Sequence, residues 1–178
     1  MPRTPAHEAL RAATIDCHQR VDEIYSAARL NNRLCYGNFL RAQAAALLPV
    51  EAALDQSGIA DLVEDWAERN RGRLLIRDMA ELGITGPEPI GRPIWSGPSE
   101  MLGALYVVEG SRLGGKLLLR SVPADFPTNF LAAEHFGSWS LFLIRLGKIV
   151  DTDAERTDAI NGARTVFSLF EKSGRFYL

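Results

Sequence analysis

The sequence predicts an all-α protein of one domain, and three observations carry that reading. Apolar residues recur at helical spacing along nearly the whole chain. The last long segment opens with a helix-capping pattern, and no stretch shows the strict alternation of a half-buried strand. With 178 residues, 47% of them hydrophobic, the chain can bury a real core as a single domain spanning 1–178.

In the first helix, Leu10, Thr14, Cys17, Val21, Ile24 and Ala28 keep helical spacing. Pro5 suits the first turn, because its fixed φ is helical and its missing N–H would have no partner there; Thr4 is the matching N-cap. A second helix is expected from about Tyr36 to Leu54, through Phe39, Leu40, Leu47 and Leu48, with a kink at the internal Pro49. A third carries Leu62, Val63 and Trp66, then Leu74, Leu75, Met79 and Leu82, and Gly83 reads as its stop. Its polar middle, ERNRGR, invites a bend or break. The stretch GITGPEPIGRPIWSGP has no period and holds four of the nine prolines. It reads as a structured loop, since Ile90, Ile94 and Trp95 need something to pack on. Further helices are expected over Ser99–Arg120 and Trp139–Ile149, separated by a loop around PADFPTN. The last helix starts at the capping box Thr152/Glu155 and sets Ile160, Ala163, Phe167 and Phe170 on one face.

Bulk properties narrow the function. A formal net charge of -2 provides no overall positive field to draw in nucleic acid or an anionic membrane. No apolar run approaches the roughly 20 residues of a membrane span. The N-terminal segment lacks the pattern of a signal peptide, so a cytoplasmic location is expected. Two cysteines, Cys17 and Cys35, do not make a disulfide framework in a chain of this length.

Among His7, His18 and His135, His18 is the informative histidine. It lies next to Cys17, between Thr14 and Val21, and so falls within the apolar stripe, where an imidazole facing the core needs a partner. By itself it fits either a core histidine bonded to a carbonyl or acid, or an iron ligand. Two neighbours favour the ligand. Asp22 follows four residues later on the same face and can accept from the ring nitrogen that does not bind metal. Arg11 precedes by seven residues, so it points the same way from about 10 Å along the axis. From there a cation could meet a carboxylate on the rim of a flat ligand.

The second unusual feature is GALYVVEGSRLGGKLLLR. It is apolar enough for a helix yet contains Gly103, Gly110, Gly114 and Gly115. Each internal glycine costs roughly 1 kcal/mol against alanine, so a compensating use is expected. One use is close approach of bare backbone to something flat; the other is close packing against another helix. GSRLGG is not a phosphate loop, since it lacks the GK[ST] ending and lies inside an apolar helix.

Taken in order, LRAATIDCHQRVD followed by LYVVEGSRLGG resembles the haem oxygenase family, in particular its bacterial branch found alongside bacteriophytochromes. The resemblance implies an all-helical bundle with haem b, both substrate and cofactor, between a proximal and a distal helix. It implies oxidative cleavage of that haem to biliverdin, carbon monoxide and ferrous iron, with O2 and with electrons from a separate reductase or ferredoxin. A bacteriophytochrome is then a candidate acceptor of the biliverdin. By the same likeness His18 is the proximal iron ligand, Asp22 stands where the family often has a glutamate, and Arg11 matches a basic position that contacts a propionate. Gly110, Gly114 and Gly115 match the distal glycines over the haem, and Gly110, Ser111 and Gly114 fall where oxygen is handled. Three departures stand out. Ser111 replaces the aspartate that many members carry directly after the first distal glycine. The family tyrosine that helps hold a propionate is shifted, with Leu105 at its place and Tyr106 beside it. Arg145 is the nearest match to the propionate-binding arginine of the later helix. Ser111 is also the feature that favours a rival reading, a haem-binding or haem-sensing protein without turnover.

Overall fold

The computed structural model describes residues 4–133 and 138–178; His135 lies outside the described residues. Every regular element among them is a helix: α1 (Pro5–Ser26), α2 (Arg33–Gln56), α3 (Ile59–Leu62), α4 (Trp66–Arg69), α5 (Gly72–Glu81), α6 (Pro98–Leu119), α7 (Asn129–Ala132), α8 (Ser138–Ile149) and α9 (Asp153–Tyr177).

The ends follow from capping chemistry. Thr4 accepts from the His7 N–H at 3.3 Å with Pro5 in the first turn. Asn32 accepts from Leu34 and Cys35 at 2.9 and 3.1 Å, which starts α2 ahead of the expected Tyr36. The capping box of α9 is present in both directions: Glu155 N–H donates to Thr152 Oγ1 at 3.2 Å, and Thr152 N–H donates to Glu155 Oε2 at 2.8 Å. Helix α2 continues through Pro49. The expected third helix is three short ones, broken at residues 63–65 and again at Asn70–Arg71. Gly83 adopts a φ of 71°, in the left-handed region where glycine ends a helix without a Cβ penalty. Helix α7 is an element the periodicity does not reveal. Its N-terminus is capped from a distance by the buried Asp78, whose carboxylate accepts from Asn129 N, Asn129 Nδ2 and Phe130 N at 3.1, 2.7 and 2.8 Å.

Helix α9 is the centre of the packing, flanked by α6, α1 and α2. It buries Ala163, Val166, Phe167, Leu169 and Phe170. Gly103 on α6 and Gly162 on α9 let the two backbones touch. A Cβ on Gly103 would lie 1.8 Å from the Ala159 carbonyl oxygen, and one on Gly162 would lie 2.1 Å from that of Glu100. Helices α1 and α6 both lean on α9 and scarcely meet each other directly. In the proline-rich loop Trp95 is buried and Ile90 packs on the core, with its N–H donating to Ala45 O at 3.0 Å. Ile94, expected to pack, is 90% exposed instead. Its neighbour Trp95 takes the buried position, and the Ile94 side chain stands outward.

Candidate functional site

The first component sits on α1. Its buried stripe is Ala6, Leu10, Thr14 and Tyr25, turned to the interior. His18 lies one step round the helix from that stripe, on a face shared with Arg11, Ile15 and Asp22. The expectation that its ring faces the core is corrected: the His18 side chain is 62% exposed. Its Nδ1 lies 2.9 Å from Asp22 Oδ2. A carboxylate accepts only, so the shared proton is assigned to Nδ1 and the lone pair to Nε2. The ring is flanked by Phe167 of α9 at 5.9 Å between centroids. With Nδ1 engaged by Asp22, Nε2 is the nitrogen that would be available to a metal.

The second component is α6, and its glycines divide between two jobs. Gly103 serves the α6–α9 crossing, as above. Gly115 is buried and turned to Leu131 of α7, whose Cδ2 would lie 3.5 Å from an added Cβ. Gly114 is exposed, with no atom within 4 Å of an added Cβ. Gly110 lies on the same face, where an added Cβ would meet the Trp139 ring at 3.8 Å, an ordinary contact distance. Leu113 and Leu117 flank Gly114 and are 57% and 65% exposed; Ile15 on α1 is 60% exposed. Burying a side chain of this type is worth roughly 1.5–3 kcal/mol, so three around two uncovered helix faces mark surface suited to an apolar ligand.

The third component links the two helices. Tyr106 lies on the Gly110 side of α6, with its ring 6.0 Å from His7 of α1 and 5.5 Å from Trp139 of α8. Burial raises the Tyr106 hydroxyl above the usual phenol value, while the nearby positive charge of Arg11 pulls it down. Arg11 is thus within electrostatic reach of the Tyr106 hydroxyl. Arg145 is not part of this group. It donates through Nη1 to Leu62 O at 3.1 Å, and its Nη2 lies 3.9 Å from Glu64. There it borders a groove of about 390 Å³ with Val63, Asp65, Leu141 and Ile144.

Behind the glycine helix is a layer of buried charge that sequence reasoning missed. Arg69 forms a two-point pair with Asp65, both contacts at 2.8 Å, and reaches Glu109 at 2.9 Å. Glu109 also accepts from Arg112 at 3.2 Å. Glu51 accepts the backbone N–H groups of Arg71 and Gly72 at 2.9 and 2.8 Å, and burial raises its carboxyl above the usual range against those bonds. The guanidinium of Arg71 lies 4.8 Å over the Phe130 ring, and its Nη2 donates to Val108 O at 3.1 Å and to Ser111 Oγ at 2.6 Å. Ser111 donates its own proton to Val108 O at 2.6 Å. The only signal was charged residues inside apolar runs, as in YVVEGSRLGG; their partners stand about 40 positions away, where no local pattern reaches.

The structure matches the NO- and CO-bound haem oxygenase of Neisseria meningitidis with a TM-score of 0.83, at 22% identity, over 98% of this chain and 92% of that one. The molecule is thus an all-helical protein of the haem oxygenase fold. In sequence it is 29% identical to a haem oxygenase of Xanthomonas campestris pv. campestris (strain 8004) over 142 residues, 76% of this chain and 86% of that protein. It is 28% identical to haem oxygenase PigA of Pseudomonas aeruginosa over 174 residues, 92% of this chain and 88% of that protein. No protein-family model matches. In fold the chain matches one haem oxygenase, and in sequence it is similar to two others along most of its length.

Proposed function

We propose that this chain binds haem between α1 and the glycine face of α6 and opens the macrocycle oxidatively. The observation that carries the proposal is the His18–Asp22 pair: an exposed imidazole whose Nδ1 is engaged by a carboxylate at 2.9 Å and whose Nε2 is left free. The remaining residues suit the same ligand. A porphyrin needs a bare surface opposite the axial ligand, apolar walls and a cation for its propionates. Gly114, the exposed Ile15, Leu113 and Leu117, and the charge of Arg11 would supply these.

Each residue then has a definable task. Asp22 fixes the tautomer and orientation of His18 and makes Nε2 a better donor to iron. Arg11 and Tyr106 receive a propionate carboxylate and so set the rotation of the ring. Gly110 and Gly114 let backbone lie against the ring and leave no side chain to compete for the space. Ser111 borders that surface with a hydroxyl. Once bound, haem is itself the substrate and brings the iron that activates oxygen, giving biliverdin, carbon monoxide and ferrous iron. We infer that electrons come from a separate reductase or ferredoxin, since the glycine-rich segment lies in an apolar helix and not in a dinucleotide loop. A bacteriophytochrome is a fitting acceptor of the bilin.

The test is spectroscopic. Purified protein mixed with hemin should develop a Soret band that saturates near one haem per chain. Adding a reductant in air should then remove it while bilin absorption grows. A haem complex that survives several reducing equivalents in air would point instead to a haem-binding protein without turnover.

A further inference from the structure

We propose that Arg71 is a positioning residue that turns Ser111 into an acceptor-only group and sets a positive charge behind the oxygen-side surface of α6. The proposal rests on the haem reading above and concerns how that surface works without the carboxylate that many family members have at position 111.

A serine hydroxyl has one proton to give and two lone pairs. At Ser111 the proton is given to Val108 O at 2.6 Å, and one lone pair is taken by Arg71 Nη2 at 2.6 Å. What is left is a single lone pair, so Ser111 can only accept from a further partner. A carboxylate has the same hydrogen-bond polarity. A water at Ser111 must therefore donate one hydrogen to it, which leaves the other free to point toward the ligand on the iron. The arrangement reproduces the directionality of an aspartate with the opposite sign of charge.

Arg71 is held for this task from several sides. Its backbone N–H is fixed by Glu51, its guanidinium lies over the Phe130 ring, and its Nη2 also reaches Val108 O. Its Nε is buried and has no hydrogen-bond partner. An unpaired buried donor is unfavourable, and a side chain serving structure alone has little reason to bear that. Burial, together with the charge of Arg112, lowers the guanidinium to about 10, so it remains a cation at neutral pH.

The consequence is a preference for anions at the sixth position of ferric haem. Fluoride is the probe, because it binds ferric haem weakly and gains from hydrogen bonds donated to it. In the full chain loaded with hemin, Arg71→Met should weaken fluoride binding about tenfold, the effect of roughly one lost charge-assisted hydrogen bond. Arg71→Lys, which keeps a charge and a donor, should stay within about threefold of the starting protein. Ser111→Asp keeps the acceptor but cancels the charge, and should also weaken fluoride about tenfold; it decides the question if Arg71→Met does not fold. Fluoride affinity indifferent to Arg71→Met or to Ser111→Asp, or a lysine variant that behaves like methionine, overturns the proposal alone. Failure of the unaltered protein to form a His18-dependent haem complex overturns the haem reading and takes this proposal with it.

Discussion

Gly103→Ala should lower the thermal midpoint by roughly 6–12 °C, although it adds one methyl group to a helix. The new Cβ would stand 1.8 Å from the Ala159 carbonyl oxygen and 2.6 Å from its carbon. Both are backbone atoms of α9 and cannot rotate aside, so α6 and α9 must separate. Overpacking a core ordinarily costs about 1–3 kcal/mol, and a clash with backbone belongs at or above the top of that range. At about 2–4 °C per kcal/mol for a domain of this size, the stated shift follows. The loss should exceed the gain of about 1 kcal/mol that alanine brings to a helix. Gly114→Ala is the control. With nothing within 4 Å of its Cβ, it should melt at or above the parent temperature. Circular dichroism melts of the two variants decide the matter: a Gly103→Ala midpoint within about 2 °C of the parent would mean that the two backbones do not touch there.

Gly114→Leu should separate binding from folding. The position is open and helical, so leucine meets no protein atom at its Cβ and gains helix propensity of somewhat under 1 kcal/mol. Helix content and midpoint should hold or rise. Yet the new side chain would project from the bare face against which the haem is proposed to lie. Hemin affinity is expected to fall at least a hundredfold, or about 2.7 kcal/mol. That loss is plausible for filling a planar site with four carbons that have nowhere to retreat. Titration of the Soret band gives the affinity. A folded Gly114→Leu protein with unchanged hemin affinity would remove α6 from the haem site.

The two glycines show what a sequence can carry. GALYVVEGSRLGGKLLLR marks glycine in a helix as something to explain and leaves open whether the reason is another helix or a flat ligand. The structure answers for Gly103, which packs against another helix, while the flat ligand at Gly114 is the proposal made above. Gly103 is used by Ala159, 56 positions on; at Gly114 an added Cβ would meet no atom of the described residues within 4 Å. Local signals, by contrast, were readable because their partners are local. Thr4 and Pro5, the Thr152/Glu155 box and Gly83 act within one helical turn, and all of them mark the helix ends found. The break in ERNRGR was also visible, since polar residues and a glycine cannot sustain an apolar stripe.

His18 lay at the resolving limit of periodicity. A step of one residue turns a helix by about 100°, and the buried stripe of α1 is narrower than the spacing suggested. Cys17, on the stripe side, is half-buried, whereas His18 opens outward with Arg11, Ile15 and Asp22. The residue type points to the proposed ligand, but its direction on the helix is outward rather than toward the core. Arg71 was not readable at all. Its proposed role depends on the fold setting its guanidinium against Ser111 of α6, 40 positions away.

The most direct test of the whole account is the absorption spectrum of hemin-loaded His18→Ala, recorded without and then with added imidazole. The parent protein should show the spectrum of a histidine-ligated haem. The alanine variant should lose it, and free imidazole, filling the space left by the ring, should restore it. A His18→Ala complex whose spectrum already equals that of the parent, with no imidazole present, would show that the iron is held elsewhere and that His18 is not its ligand.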